Sequence, residues 1–218
     1  MKIGVLFDMD GTVLDTIQDL TDSTNVALAH FGYPARTVKE VTGYLGNGAW
    51  RLIRGAVPAE VTDEQVDTVL AYYQAYYKAH CQIKTKAYDG IPEALAELGK
   101  EFPLAIVSNK PDAAVKTLAA QYFPGLYAAG ESSACPRKPA PDMLYQAMQT
   151  LGVEKCIYVG DSEVDVLTAQ NAGVPCLSVT WGFRELPELE EAGARYFCHE
   201  TEKLPEMIRK IAGEVYGQ

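Results

Sequence analysis

The run Ile3-Gly4-Val5-Leu6-Phe7 stops abruptly in acid, at Asp8-Met9-Asp10-Gly11-Thr12. A short apolar run bounded by a Gly-containing turn predicts a strand buried on both faces, as in parallel sheets. Asp8 and Asp10 fall at or just past its carboxyl end. In an extended chain, positions two apart point the same way. The two carboxylates therefore aim at one small volume, on the edge where open α/β sheets keep their ligand crevice. Like charges so close are costly unless a cation or a shared proton offsets them. Gly11 permits a sharp turn that brings main-chain N–H groups near the pair. Turn-forming aspartates at a strand end would look the same. What decides between these readings is whether the rest of the chain supplies partners.

From Gly90 onward the pattern supplies them. Helical stretches alternate with short apolar runs at Leu104–Val107, Tyr127–Gly130, Cys156–Gly160, Pro175–Thr180 and Arg195–His199, and a closing helix spans Glu202–Val215. Such alternation predicts right-handed βαβ units, hence a Rossmann-like parallel sheet with helices on both faces. One strand ends at Ser108 and Asn109, another at Asp161, with Glu163 and Asp165 beyond it. Lys138 sits in a loop stiffened by Pro136, Pro139 and Pro141. Because the carboxyl ends of parallel strands share one edge, Asp8, Asp10, Ser108, Lys138, Asp161 and Asp165 are expected to line one crevice.

Between the first and second strands the pattern is helical throughout. Asp15 is placed to cap the first helix, with Gln18 in the reciprocal position of a capping box. Thr62–Ala79 reads as a long helix on which Tyr72, Tyr73, Tyr76 and Tyr77 form i,i+4 pairs; helix packing or a subunit contact explains that stripe better than a substrate box. Residues 16–82 are therefore expected to form a small helical cap inserted into an α/β core of residues 1–15 and 83–218. Within the insertion, Gly46-Asn47-Gly48 marks a turn whose backbone can approach a ligand, and the helix after it starts with free N–H groups, with Arg51 one turn in. An ordinary corner between helices fits the same residues. Trp50 and Arg51 could select a leaving group or simply pack and face solvent.

Composition narrows the function. The 218 residues carry a net charge of −10, which argues against nucleic acid as a partner, and 48% are hydrophobic, enough for a sizeable core. The five cysteines are scattered, with no CxxC pair, which suits a reducing cytoplasm rather than a disulfide framework or zinc site. No apolar run is long enough to span a membrane. A small anionic substrate would need a local cation against the acidic field. Hard oxygen ligands from two strands favour Mg²⁺. Asp8 could attack phosphorus to form an aspartyl-phosphate. Asp10 could protonate the leaving alkoxide and later take a proton from water. Lys138 could hold Asp8 and the phosphoryl group by charge, and Ser108 with nearby main-chain N–H groups could bond the transferring oxygens. Asp161 would complete the metal site, with Asp165 among the ligands or just behind them. Singly, Asp161, Asp165 and Ser108 could be helix caps and Lys138 a solvated charge.

Taken together these motifs resemble the haloacid dehalogenase superfamily of phosphatases. Asp8-Met9-Asp10-Gly11-Thr12 matches its first motif, DxDGT. Ser108 matches the second, Lys138-Pro139 the third, and Gly160-Asp161-Ser162-Glu163-Val164-Asp165 the fourth, GDxxxD. The helical insertion resembles the family's cap of the first type. The resemblance implies Asp8 as nucleophile and metal ligand, Asp10 as acid/base and carbonyl ligand, and Asp161 as the third protein ligand to Mg²⁺. It also implies substrate contacts from Gly11, Thr12 and Asn109, and from Gly46, Asn47, Gly48 and Arg51 in the cap. Within the superfamily, Gly46-Asn47-Gly48-Ala49, Asn109-Lys110-Pro111 and Arg137-Lys138-Pro139-Ala140-Pro141 are most similar to phosphoglycolate phosphatases. The expectation is a cytoplasmic monomer or homodimer that hydrolyses a small phosphorylated metabolite. Another small-molecule phosphatase or pyrophosphatase, or a β-phosphoglucomutase-like mutase, would use the same core residues.

Overall fold

A computed structural model describes residues 2–132 and 135–217. Strand β1 (Ile3–Phe7) is buried along its whole length. β2 (Leu14–Asp15) leads out to the helices α1 (Ile17–His30), α2 (Val38–Tyr44), α3 (Gly48–Ala56) and α4 (Asp63–His80), and β3 (Lys86–Ala87) leads back. The chain then alternates through α5 (Ile91–Leu98), β4 (Leu104–Pro111), α6 (Asp112–Tyr122), β5 (Tyr127–Glu131), α7 (Asp142–Leu151), β6 (Lys155–Gly160), α8 (Glu163–Ala172), β7 (Cys176–Val179), α9 (Leu186–Glu191) and β8 (Tyr196–Cys198). After one 3₁₀ turn, α10 (Leu204–Tyr216) closes it.

The main sheet is parallel, in the order β5-β4-β1-β6-β7-β8. The chain builds outward from β1 to one side and then returns to build on the other. The carboxyl ends of β1, β4 and β6 thus meet at the point where strand order reverses, which is where such sheets bind ligands. Alternate residues face opposite layers. Ile3, Val5 and Phe7 pack toward α5, α6 and α10, whereas Leu6, Val107 and Tyr158 pack toward Met143, Leu144 and Ala147 of α7. Coverage on both faces is why these strands read as unbroken apolar runs.

The inserted helices pack on one another through Leu28, Val41, Ile53 and Val69, and their buried side chains run on into the sheet's own apolar core. Three details differ from the sequence reading. The short helix α9 forms between β7 and β8, where no helix is predicted. β2 and β3 form an antiparallel ribbon, with Leu14 opposite Ala87, so the outgoing and returning chains leave the core side by side. Two-residue strands carry too little periodicity to be read in advance. The predicted capping box on α1 is not made: Thr16 is the N-cap, and Gln18 bonds Asp22 at 2.8 Å instead. On α4 the aromatic stripe splits. Tyr73 and Tyr77 are buried and stacked with centroids 5.5 Å apart, while Tyr72 stacks on His30 and Tyr76 on His80. All five cysteines are free. Among the described residues, no helix is long and apolar enough to cross a membrane.

Candidate active site

Asp8 sits where β1 ends, its N–H donating to the Val159 carbonyl of neighbouring β6 at 2.8 Å. The chain then turns tightly. The Met9 carbonyl accepts from the N–H groups of Thr12, Val13 and Leu14, and Gly11 takes a φ of +83°. A Cβ on Gly11 would lie 2.2 Å from Asp161 Oδ2, so glycine is required twice, for its backbone angle and for the close approach. Gly182 is confined in the same way, since a Cβ there would lie 2.3 Å from Asp161 Cβ.

Lys138 Nζ is the electrostatic centre. It lies 2.9 Å from Asp8 Oδ1 and 2.7 Å from Asp165 Oδ1, and donates to the Tyr158 hydroxyl at 2.9 Å. Its loop is stapled to β4, because Lys138 N donates to Asn109 Oδ1 at 2.7 Å and Asn109 Nδ2 donates back to the Lys138 carbonyl at 2.9 Å. The Asn109 amide also donates to the Gly46 carbonyl of the cap at 3.0 Å. Asp165 has no oxygen to spare. Oδ1 accepts from Lys138 and Tyr158, and Oδ2 accepts from the N–H and hydroxyl of Ser162. It both starts α8 and holds Lys138.

Asp161 ends β6. Its Oδ1 accepts from the Thr12 hydroxyl at 3.0 Å and its Oδ2 from Phe183 N at 2.8 Å. Asp10 lies across from it, with Oδ1 accepting from the Thr16 hydroxyl at 2.7 Å and Oδ2 paired with Lys110 Nζ at 2.9 Å. Asp8, Asp10, Ser108, Lys138 and Asp161 line one cavity of about 60 Å³. A water needs roughly 10–15 Å³ by this measure, so the space has room for a few atoms beyond water. Gly46 and Gly48 border it from the cap side. Asn47 and Arg51 do not line it; both are exposed, and Arg51 lies over the Trp50 ring.

Carboxylate oxygens of Asp8, Asp161 and Asp165 lie within 4.8 Å of one another in this buried space, those of Asp165 already taken by hydrogen bonds. Burial pushes Asp8 up to about 7, Lys138 pulls it back in part, and Asp165 and Asp10 add to the rise. Burial and the neighbouring Asp165 and Asp8 also hold Asp161 well above the usual carboxylate range. For Lys138, burial disfavours the charge, but Asp165 and Asp8 outweigh it and hold the ammonium on. Two lysines, Lys138 and Lys110, among the four carboxylates of Asp8, Asp10, Asp161 and Asp165 leave the site short of positive charge, and Asp8 Oδ1 is buried without a hydrogen bond of good geometry. Hard oxygens in deficit fit a divalent cation such as Mg²⁺.

Several contributors were not assigned roles from sequence. Lys110 bridges Asp10 and the Tyr77 hydroxyl, the latter at 2.7 Å, so a cap tyrosine reaches the site. Tyr158 places a phenol at a fully buried position of β6, a pattern that signals a hidden polar partner. Arg184 pairs with Glu163 at 2.7 Å and donates to the Thr42 and Leu45 carbonyls at the end of α2, joining cap to core.

A parallel sheet of this order, with paired aspartates ending β1, a buried lysine beside them and a third acid ending β6, defines a hydrolase class. The chain belongs to the haloacid dehalogenase-like hydrolases, whose family model matches residues 5–179, and it is an enzyme of the phosphatase kind. It is 34% identical over 217 residues to a Cereibacter sphaeroides protein named phosphoglycolate phosphatase, covering 95% of this chain and 98% of that one. Over 201 residues it is 34% identical to phosphoglycolate phosphatase 1 of Pseudomonas aeruginosa, covering 86% of this chain and 73% of the relative. A solved structure from Lactobacillus delbrueckii subsp. bulgaricus, provisionally named a phosphoglycolate phosphatase, superposes with a TM-score of 0.88 at 38% identity, covering 94% and 97% of the two chains.

Proposed function

We propose that this protein is a Mg²⁺-dependent phosphomonoester hydrolase that works through an aspartyl-phosphate on Asp8, with 2-phosphoglycolate as its substrate. The carrying observation is the convergence of Asp8, Asp10, Ser108, Lys138 and Asp161 on one small buried cavity. In this reading an Asp8 oxygen attacks phosphorus while the ester P–O bond breaks. Asp10 protonates the departing alkoxide. Asp10 then takes a proton from water, the water oxygen attacks the same phosphorus, and the Asp8 carboxylate is restored as phosphate leaves. Lys138, held by Asp165 and Tyr158, balances charge on Asp8 and on the phosphoryl oxygens, and the Ser108 hydroxyl bonds one of those oxygens. Asp8, Asp161 and the Asp10 carbonyl would hold Mg²⁺, which screens the phosphoryl charge when bound. Residues 16–82 would act as the cap that shuts out water, and residues 1–15 and 83–218 as the catalytic core. The relatives' names and the small cavity favour 2-phosphoglycolate; the acidic, reducing-type composition favours a cytoplasmic setting.

The test is phosphate release from a panel of small phosphoesters with Mg²⁺, with Asp8→Asn as the blank. The expected result is a strong preference for 2-phosphoglycolate and no release by the variant. Appreciable turnover by Asp8→Asn would remove the covalent step. An isomerised sugar phosphate in place of free phosphate would make the enzyme a mutase.

A further inference from the structure

The cavity holds three cationic side chains: Lys138, Arg184 and Lys110. Lys138 is fully engaged by Asp8, Asp165 and Tyr158. Arg184 is engaged by Glu163 and by the Thr42 and Leu45 carbonyls. Lys110 differs. Its ammonium has three donors, and among the described residues it meets the Asp10 carboxylate at 2.9 Å and the Tyr77 hydroxyl at 2.7 Å. One donor is left over, in a side chain only 2% exposed. The backbone explains how it gets there: the pairing of β4 with β5 shifts register between Val107 and Pro111, and such irregularities re-aim side chains beside active sites.

The position of Lys110 has chemical content. Asp10 is the group proposed to meet the ester oxygen, so the ammonium 2.9 Å from its carboxylate stands next to whatever is attached to that oxygen. Beside Tyr77, the cap also gives the cavity Leu20, Leu52 and Tyr73, apolar apart from the phenol groups. A leaving group with a carboxylate would otherwise face Asp8, Asp10 and Asp161 with no counter-charge.

We infer that Lys110, steadied by Tyr77, is the specificity residue that binds a carboxylate on the leaving group, one carbon from the ester oxygen. The inference rests on the hydrolase reading above and extends it to the substrate's second anionic group. It makes the enzyme selective for phosphate esters of small 2-hydroxy acids over neutral esters of the same size. Because Tyr77 comes from α4, the site that reads this carboxylate is complete only with the cap in place.

The experiment compares kcat/KM for 2-phosphoglycolate and for 2-hydroxyethyl phosphate, which replaces the carboxylate by a neutral hydroxymethyl group. Wild type should prefer the acid, and Lys110→Met should cut that preference by about 10- to 100-fold, the worth of one buried charge-assisted hydrogen bond. Tyr77→Phe keeps the stacked ring and should lower the preference by a few fold, which covers the case in which Lys110→Met does not fold. Equal losses on both esters in Lys110→Met would mean that Lys110 serves only Asp10 and would overturn the inference. So would a wild type that hydrolyses both esters equally well, a result that leaves the phosphatase reading standing. Release from neither ester by Mg²⁺-loaded wild type would overturn the 2-phosphoglycolate reading itself, and the inference with it.

Discussion

Asp8 shows how one residue can be poised between two charge states by its surroundings. Its carboxyl is pushed to about 7, first by burial, against the pull of Lys138. Its folded pKa therefore lies above its unfolded one, and the folded chain binds the proton more tightly. The share of the metal-free protein's stability that depends on Asp8 should fall as pH rises from about 4 to about 7. Mg²⁺ should stabilise the protein more at pH 7 than at pH 5, because it favours the ionised form. Thermal unfolding across that range, with and without Mg²⁺, checks both slopes, and Asp8→Asn should flatten the metal-free one. A metal-free slope that Asp8→Asn leaves unchanged would show that this carboxyl titrates as an exposed one does. Asp8, Asp10, Asp161, Ser108 and Lys138 were legible in sequence because each ends an apolar strand or sits in a Pro-stiffened loop. Lys110 and Tyr158 acquire their partners only when distant strands meet.

At the scale of elements, the joints between the helical insertion and the sheet bear the strain of keeping the site assembled. Asp19 of α1 is buried, and its carboxylate accepts from the N–H groups of Ile83, Lys84 and Thr85 at 2.8–3.0 Å. It bolts the returning chain to the outgoing helix. Asp19→Ala leaves those donors without their charged acceptor and should cost about 2–4 kcal/mol, read by urea unfolding. A loss under ~0.5 kcal/mol would mean the joint is held by β2 and β3 alone. On the opposite side Arg184 grips the end of α2, and its neighbour Phe183 donates to Asp161. Arg184→Ala should raise KM about tenfold or more and admit larger esters, with a smaller effect on folding stability than Asp19→Ala. Unchanged KM and substrate range would make Arg184 a surface tie. Neither residue stood out in sequence: Asp19 reads as an ordinary first-turn acid, and Arg184 lies in a loop with no periodic pattern. The Gly46–Gly48 turn was legible as glycine-rich backbone beside the site, yet which of its neighbours would reach the cavity was not, and Asn47 and Arg51 are exposed and do not line it.

Across the whole molecule, acid dominates, with a net charge of −10, and the site concentrates it. Removing divalent cations should abolish phosphate release, and Ca²⁺ should fail to restore it, since its longer, looser coordination misplaces the attacking oxygen. Full activity in excess chelator would exclude the metal from the reaction. The amino-acid sequence alone determined the order of strands and helices after Gly90 except for the short α9, the helical insertion before it, and which polar groups stand at strand ends. All of that follows from local periodicity and from chain breaks at Gly, Pro and Asp. It could not decide how the two halves meet. The ribbon of β2 and β3, the grip of Arg184 on α2 and the contact of Tyr77 with Lys110 each join residues far apart in the chain. Those pairings depend on where sheet order reverses and on how the cap lies over that point, so no local pattern carries them and only the folded chain decides them.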